Sequence, residues 1–218
     1  MGCGTCGQLV RFVSYGVDPA RAHGVDLLED RIRLGRSRLP SADLRVGNAA
    51  RLPYADRCMD IVMQFTMISS ILHAGMRAEV TTEMSRVVKP SGVIVSCDFW
   101  INPVNRDVRG LTRRELRSLL PAHRIDARSI NLAPPIARVV ASRSYRMAAI
   151  LQALPPLRTH VLAFITPPAT SAETQAGLYT ARRSPPSGQA CALTLASRES
   201  AKDGRQWPIA RSPETSAR

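Results

Sequence analysis

The chain has 218 residues, of which 44% are hydrophobic, enough to bury a core without covalent staples. Five cysteines are too few for a disulfide framework at this length, and no apolar run reaches the ~18 residues of a membrane span. The formal net charge is +13, yet only Lys89 and Lys202 are lysines, and the arginines are scattered rather than blocked. That pattern argues for an arginine-rich composition and against a nucleic-acid partner. Met1-Gly2-Cys3-Gly4 lacks the basic and apolar regions of a secretory signal. A soluble, cytoplasmic protein is expected.

Composition divides the chain. Residues 1–166 alternate apolar segments with Gly, Pro and polar turns. Residues 167–218 carry six prolines and are dominated by Ser, Thr, Ala, Gly and Arg, so they are expected to be a disordered tail.

In chain order, glycines open a helix continued by residues 8–14. Residues 22–27 read as a short strand ending in an acid, 29–38 as a helix, 43–47 as a strand, and 59–65 as a buried apolar strand. Residues 77–88 read as a helix with Val80, Met84, Val87 and Val88 on one face. Lys89-Pro90-Ser91-Gly92 is expected to stop it. Val93–Phe99 is rich in β-branched residues and reads as a strand. Thr112 and Glu115 have the spacing of a capping box for a helix over 112–120. A strand over 124–131, a helix over 144–154 stopped by Pro155-Pro156, and a last strand over 160–166 complete the pattern. Such alternation predicts an α/β fold with a parallel sheet and helices on both faces.

The first seven residues, MGCGTCG, hold the chemistry-bearing turn. Glycines between a strand and a helix let backbone approach a ligand, and the helix offers free amides. Asp26 follows Gly4 by 22 residues at a strand end, where a carboxylate can take both hydroxyls of a ribose. Gly47-Asn48-Ala49 then follows the next strand.

The ordered segments GCGTCGQL, GVDLLEDRI, VGNAARLPYADRCMDIV and EMSRVVKPSGVIV resemble the class I S-adenosylmethionine-dependent methyltransferases of the small-molecule type 11 sort, over about residues 1–166. The resemblance implies a Rossmann-like sheet of seven strands, parallel except for an antiparallel last strand, matched by residues 160–166. It implies S-adenosyl-L-methionine as cofactor. Gly2 and Gly4 would lie against its methionine part, Asp26 would hold the ribose hydroxyls, and Asn48 with Ala49 would face the adenine. Gln64 and Phe65 would sit near the sulfonium. Asp98, ending a strand at the mouth of the site, is the candidate general base. His73, which follows Ile71-Leu72 on an apolar stretch, reads as a packed or surface histidine or as a site-lining one. The acceptor is expected to be a small molecule, bound in part by Trp100–Gly110, with oxygen as the acceptor atom. No metal is expected: Cys3 and Cys6 form one C-x-x-C, but Cys58, Cys97 and Cys191 supply no second pair.

Three departures stand out. Cys6 replaces the third glycine of the turn, so either its side chain crowds the cofactor or the turn shifts by one residue. Asn48 replaces an acid. The apolar strand that precedes the glycine turn in the family is absent, which implies an N-terminally truncated sheet. The strands either side of the gap must then pair directly or leave edges unpaired. Codons upstream of Met1 are expected to encode an apolar strand. The alternative function is a truncated, non-catalytic methyltransferase-like fragment.

Overall fold

The computed structural model describes residues 1–168 except 102–104 and 106. The tail expected over 167–218 lies outside the described residues beyond Pro168. The elements run α1 (Gly7–Ser14), β1 (His23–Asp26), α2 (Glu29–Arg38), β2 (Asp43–Val46), β3 (Met59–Phe65), α3 (Ala74–Val87), β4 (Val88–Phe99), α4 (Arg113–Leu119), β5 (Arg124–Leu132), α5 (Pro134–Ala141), α6 (Tyr145–Ala153) and β6 (Arg158–Thr166). Among the described residues no helix is long and apolar enough to cross a membrane.

The strands form two sheets. β1 and β2 pair in parallel, with Asp26 opposite Val46. The other sheet has the order β3-β4-β6-β5. Within it β3 and β4 are parallel, while β6 runs antiparallel to both β4 and β5. The antiparallel last strand thus lies inside the sheet, beside β4. β1 and β3 do not pair with each other; Met1 donates to the Met63 carbonyl of β3 and the Cys3 amide to the Val25 carbonyl of β1.

One core lies where α3 and α4 cover the larger sheet. Val80, Met84 and Val87 of α3 and Leu116 of α4 pack with Val62, Ile94 and Ile165 of the strands. The spacing of the α3 residues gives one apolar stripe per helix face. A second cluster joins α1, α2 and β2 through Cys6, Leu9, Ile32, Leu39 and Leu44.

Two elements differ from the sequence expectation. Lys89–Gly92 does not end in a loop; β4 runs through it, with the register jumping from Met59↔Val88 to Ile61↔Val93. The jump depends on Gly92, where a Cβ would stand 2.7 Å from the Asp60 carbonyl oxygen. Residues 134–141 carry no predicted element yet form α5. Pro134 and Pro135 sit in its first turn, where a missing amide has no helical partner to lose.

Candidate cofactor site

The site grows from the glycine turn. Gly2, Gly4 and Cys6 all take positive φ, at 58°, 53° and 63°. Backbone of this hand costs L-residues about 1–2 kcal/mol per position, which suits glycine at two of the three. Cys6 therefore resolves its departure without a shift: it holds the left-handed position itself and α1 begins at Gly7. Its side chain is 0% exposed and points into the α1–α2–β2 cluster rather than toward the turn's open side.

Asp26 ties the turn to the sheet. Its carboxylate accepts from the Gly4 amide at 2.7 Å and from the Leu28 amide at 3.1 Å. It is 7% exposed at the end of β1. Each oxygen retains acceptor capacity beyond the one bond it makes. The carbonyl of Asp26 also accepts from the Gly47 amide at 2.9 Å, which brings the turn after β2 alongside. There the Asn48 side-chain oxygen accepts from the Ala50 amide at 2.9 Å, fixing an Asx turn, and Ala49 packs against the main core.

On the other side, the turn meets the end of β3. A Cβ on Gly2 would stand 2.8 Å from Cγ of Met67, so glycine is required for the turn to lie against this loop. Phe65 is half-buried and faces the cavity beneath the turn, as does Thr66. Gln64 is fully buried instead. Its amide nitrogen donates to Ser96 Oγ at 2.6 Å and its oxygen accepts from the Met67 amide at 3.2 Å. Thus hydrogen bonds join Gly4 to Asp26 and Asp26 to the Gly47 turn that precedes Asn48 and Ala49, while Gly2 lies against Met67, just past Gln64 and Phe65 of β3.

Asp98 is 1% exposed near the end of β4. It accepts from the Ser69 amide at 3.0 Å and the Phe99 amide at 2.9 Å. Burial pushes its carboxyl above the ordinary range, and the hydrogen bonds oppose that rise. His73 caps α3, its ring nitrogen accepting from the Met76 amide at 3.3 Å. Trp100 is pinned to β6: its indole donates to the Arg158 carbonyl at 2.6 Å and its amide to Thr159 at 3.0 Å. The segment after it is anchored again by Arg109, whose amide donates to Ser69, and by Leu111, whose amide donates to Phe99. Of the polar residues expected to meet an acceptor, Asn102 and Arg106 lie outside the described residues.

Three supporting residues were not singled out from sequence. Met67 backs Gly2, Gly35 makes room for Cys6, and Arg77 is completely buried. The Arg77 guanidinium donates to the carbonyls of Ile71, Arg109 and Gly110 and pairs with Glu115 at 2.9 Å. Its place in line with Val80, Thr81, Met84 and Val87 is a signal the sequence does carry.

Comparison with known proteins bears on the domain and its fold. Residues 1–96 match the family described as "Methyltransferase domain". A protein of Mycolicibacterium smegmatis described as a "Probable S-adenosylmethionine-dependent methyltransferase" is 34% identical over 106 residues, covering 46% of this chain and 36% of the relative. A demethylmenaquinone methyltransferase of Bacillus mycoides is 28% identical over 98 residues, covering 43% of this chain and 40% of the relative. The chain therefore spans well under half the length of these curated relatives. Among solved structures, an S-adenosylmethionine-dependent methyltransferase from Methanosarcina mazei superposes with a TM-score of 0.59 at 17% identity, over 78% of this chain and 91% of that one. Over residues 1–96 the chain is similar to the methyltransferase domain family, and its Rossmann-like α/β fold is that of S-adenosylmethionine-dependent methyltransferases.

Proposed function

We propose that the chain binds S-adenosyl-L-methionine on the Gly2–Asp26–Asn48 rim and transfers its methyl group to a small-molecule acceptor. The observation that carries this reading is the Gly4–Asp26 hydrogen bond, which fixes a positive-φ glycine turn against a strand-end carboxylate. The residues suit the cofactor. A Cβ position on Gly4 meets no atom within 4 Å, so that side of the turn is open. The carboxylate of Asp26 can accept from ribose hydroxyls, and the oxygen of Asn48 from an adenine amino group. When bound, the cofactor supplies a methyl group already activated on a sulfonium.

The chain's own part is alignment. The Gly2 and Gly4 backbone admits close approach, and Phe65 bounds the rim from the β3 side. Asp98 holds the Ser69 turn. A proton-accepting role for Asp98 requires that turn to open. Oxygen is the proposed acceptor atom, deprotonated before or during transfer. A small-molecule acceptor is supported by the Bacillus relative, whose name specifies demethylmenaquinone.

Calorimetric titration with S-adenosylhomocysteine tests the reading. We expect saturable binding to the wild type and at least about a tenfold loss for Asp26→Ala, the scale of one charge-assisted hydrogen bond. A chain that is folded by circular dichroism yet gives no binding heat overturns it.

A further inference from the structure

Residues 127–172 hold five arginines and no Asp or Glu; all 17 acidic residues of the chain lie elsewhere. This stretch contains the hairpin of α5 and α6, joined by residues 142–144. Neither helix has a fully buried residue. α6 packs against α5 and β5, and its half-buried side chains are Ala148 and Leu151. On a different stripe, at i, i+3 and i+7, Met147, Ile150 and Leu154 are 49%, 60% and 48% exposed.

The stripe is held ready by its own helix ends. The Ser144 hydroxyl accepts from the Met147 amide at 3.3 Å and starts α6. The Arg158 guanidinium donates to the Gln152 and Ala153 carbonyls at 2.8 and 3.1 Å and closes its other end. A helix already capped loses little further freedom when something binds to it.

Charge decides what covers the stripe. Arg138, Arg143 and Arg146 are exposed and, among the described residues, form no ion pair. A second copy of the hairpin would set arginines against arginines, which disfavours self-association. An anionic lipid surface satisfies both halves at once. Its phosphates take guanidinium groups, and its acyl boundary receives apolar side chains. Arginine stems can bury while their heads stay among the phosphates. Tyr145, 82% exposed at the start of α6, has the amphipathic ring suited to such a boundary. With nine residues, α6 is far shorter than the ~20 of a membrane span, so it fits the plane of the interface.

We propose that the α5–α6 hairpin docks on an anionic membrane surface, with Met147, Ile150 and Leu154 entering the headgroup boundary and Arg138, Arg143 and Arg146 pairing with lipid phosphates.

The test is independent of cofactor binding. The full chain is sedimented with vesicles of phosphatidylcholine and phosphatidylglycerol in equal parts, and with vesicles of phosphatidylcholine alone. Binding is expected to the first and not the second, and to weaken as salt screens the arginines. Replacing Met147, Ile150 and Leu154 together by Gln is expected to lower the partition coefficient at least about tenfold, with circular dichroism unchanged. Replacing Arg138, Arg143 and Arg146 together by Gln is expected to do the same, again at least about tenfold. Equal binding to both vesicles, no binding to either, or full binding by the first triple variant overturns the proposal. Ile150→Trp gives a readout that needs no loss of function: its emission is expected to shift to the blue on the anionic vesicles, and an unshifted spectrum also overturns it. Sedimentation velocity without lipid completes the test. A dimer that the first triple variant dissociates overturns the proposal and assigns the stripe to a second copy.

Discussion

The sulfur of Cys6 lies 2.7 Å from where a Cβ on Gly35 would stand, so the cysteine in the glycine turn and the glycine inside α2 are a fitted pair. The Cβ of Cys6 itself is only 3.6 Å from that point, and Leu44 Cδ1 3.2 Å. Gly35 is buried in the middle of its helix, where alanine ordinarily gains about 1 kcal/mol. Here the gain reverses. Gly35→Ala is expected to destabilise by about 1–3 kcal/mol through overpacking. In that background Cys6→Gly is expected to restore stability, because it frees the space and relieves the left-handed backbone. Urea denaturation of the two single variants and the double variant measures the coupling. Additive effects would dismiss the pairing.

Arg77 is predicted to be the least replaceable charged residue of the fold. Its guanidinium holds three carbonyls and Glu115 without contact to solvent. Arg77→Met leaves the carbonyls of Ile71, Arg109 and Gly110 without their donor, and the expected loss is about 3–5 kcal/mol. Arg77→Lys is not expected to rescue it, since an ammonium cannot fork toward all four acceptors. Proteolytic nicking near Arg109 and Gly110 is expected to rise in both variants, as limited trypsinolysis would show.

Acid sensitivity is predicted at Glu83. Its carboxylate takes both bonds of Arg86, at 2.7 and 2.8 Å, and the Leu52 amide at 2.6 Å. The Arg86 hydrogen bonds hold its pKa below the ordinary glutamate value of 4.5. A lowered folded-state pKa means the stabilisation is full above 4.5 and is lost as pH falls from there through the lowered value. Melting temperature against pH is expected to fall in that window and to flatten there in Glu83→Gln. An unchanged slope in the variant would show that other carboxylates carry the acid transition.

Thr112 caps α4, its hydroxyl accepting from the Glu115 amide at 3.1 Å. Thr112→Ala is expected to cost about 1 kcal/mol by chemical denaturation and Thr112→Ser almost nothing. The partner half of the expected box differs: the Glu115 carboxylate is drawn to Arg77 and Arg109. Glu115→Gln is therefore predicted to cost more than a capping residue does, since it uncovers the buried guanidinium.

Much of this arrangement is readable from residue order. α2 and β3 begin and end where periodicity places them, and Thr112 and Ser144 cap the helices they precede. Gly4 and Asp26 meet as the strand–turn–helix pattern requires. What periodicity cannot carry is partnership at a distance. Gln64 and Asp98 end their strands as rim residues do, yet their polar atoms are claimed by Ser96 and by the amides of Met67, Ser69 and Phe99. Cys6 has one hand of backbone because a glycine 29 residues later, Gly35, leaves it a pocket. Such pairings belong to the packed state, and no local propensity records them.

Trp100 and Leu111 fasten the two ends of one excursion from the sheet, the first to β6 and the second to Phe99. Gly110 seals the closure: a side chain there would collide with the Trp100 carbonyl. The fold thereby clamps both margins of this segment, so that a side chain placed at Gly110 is felt at Trp100 and, through its indole, at Arg158.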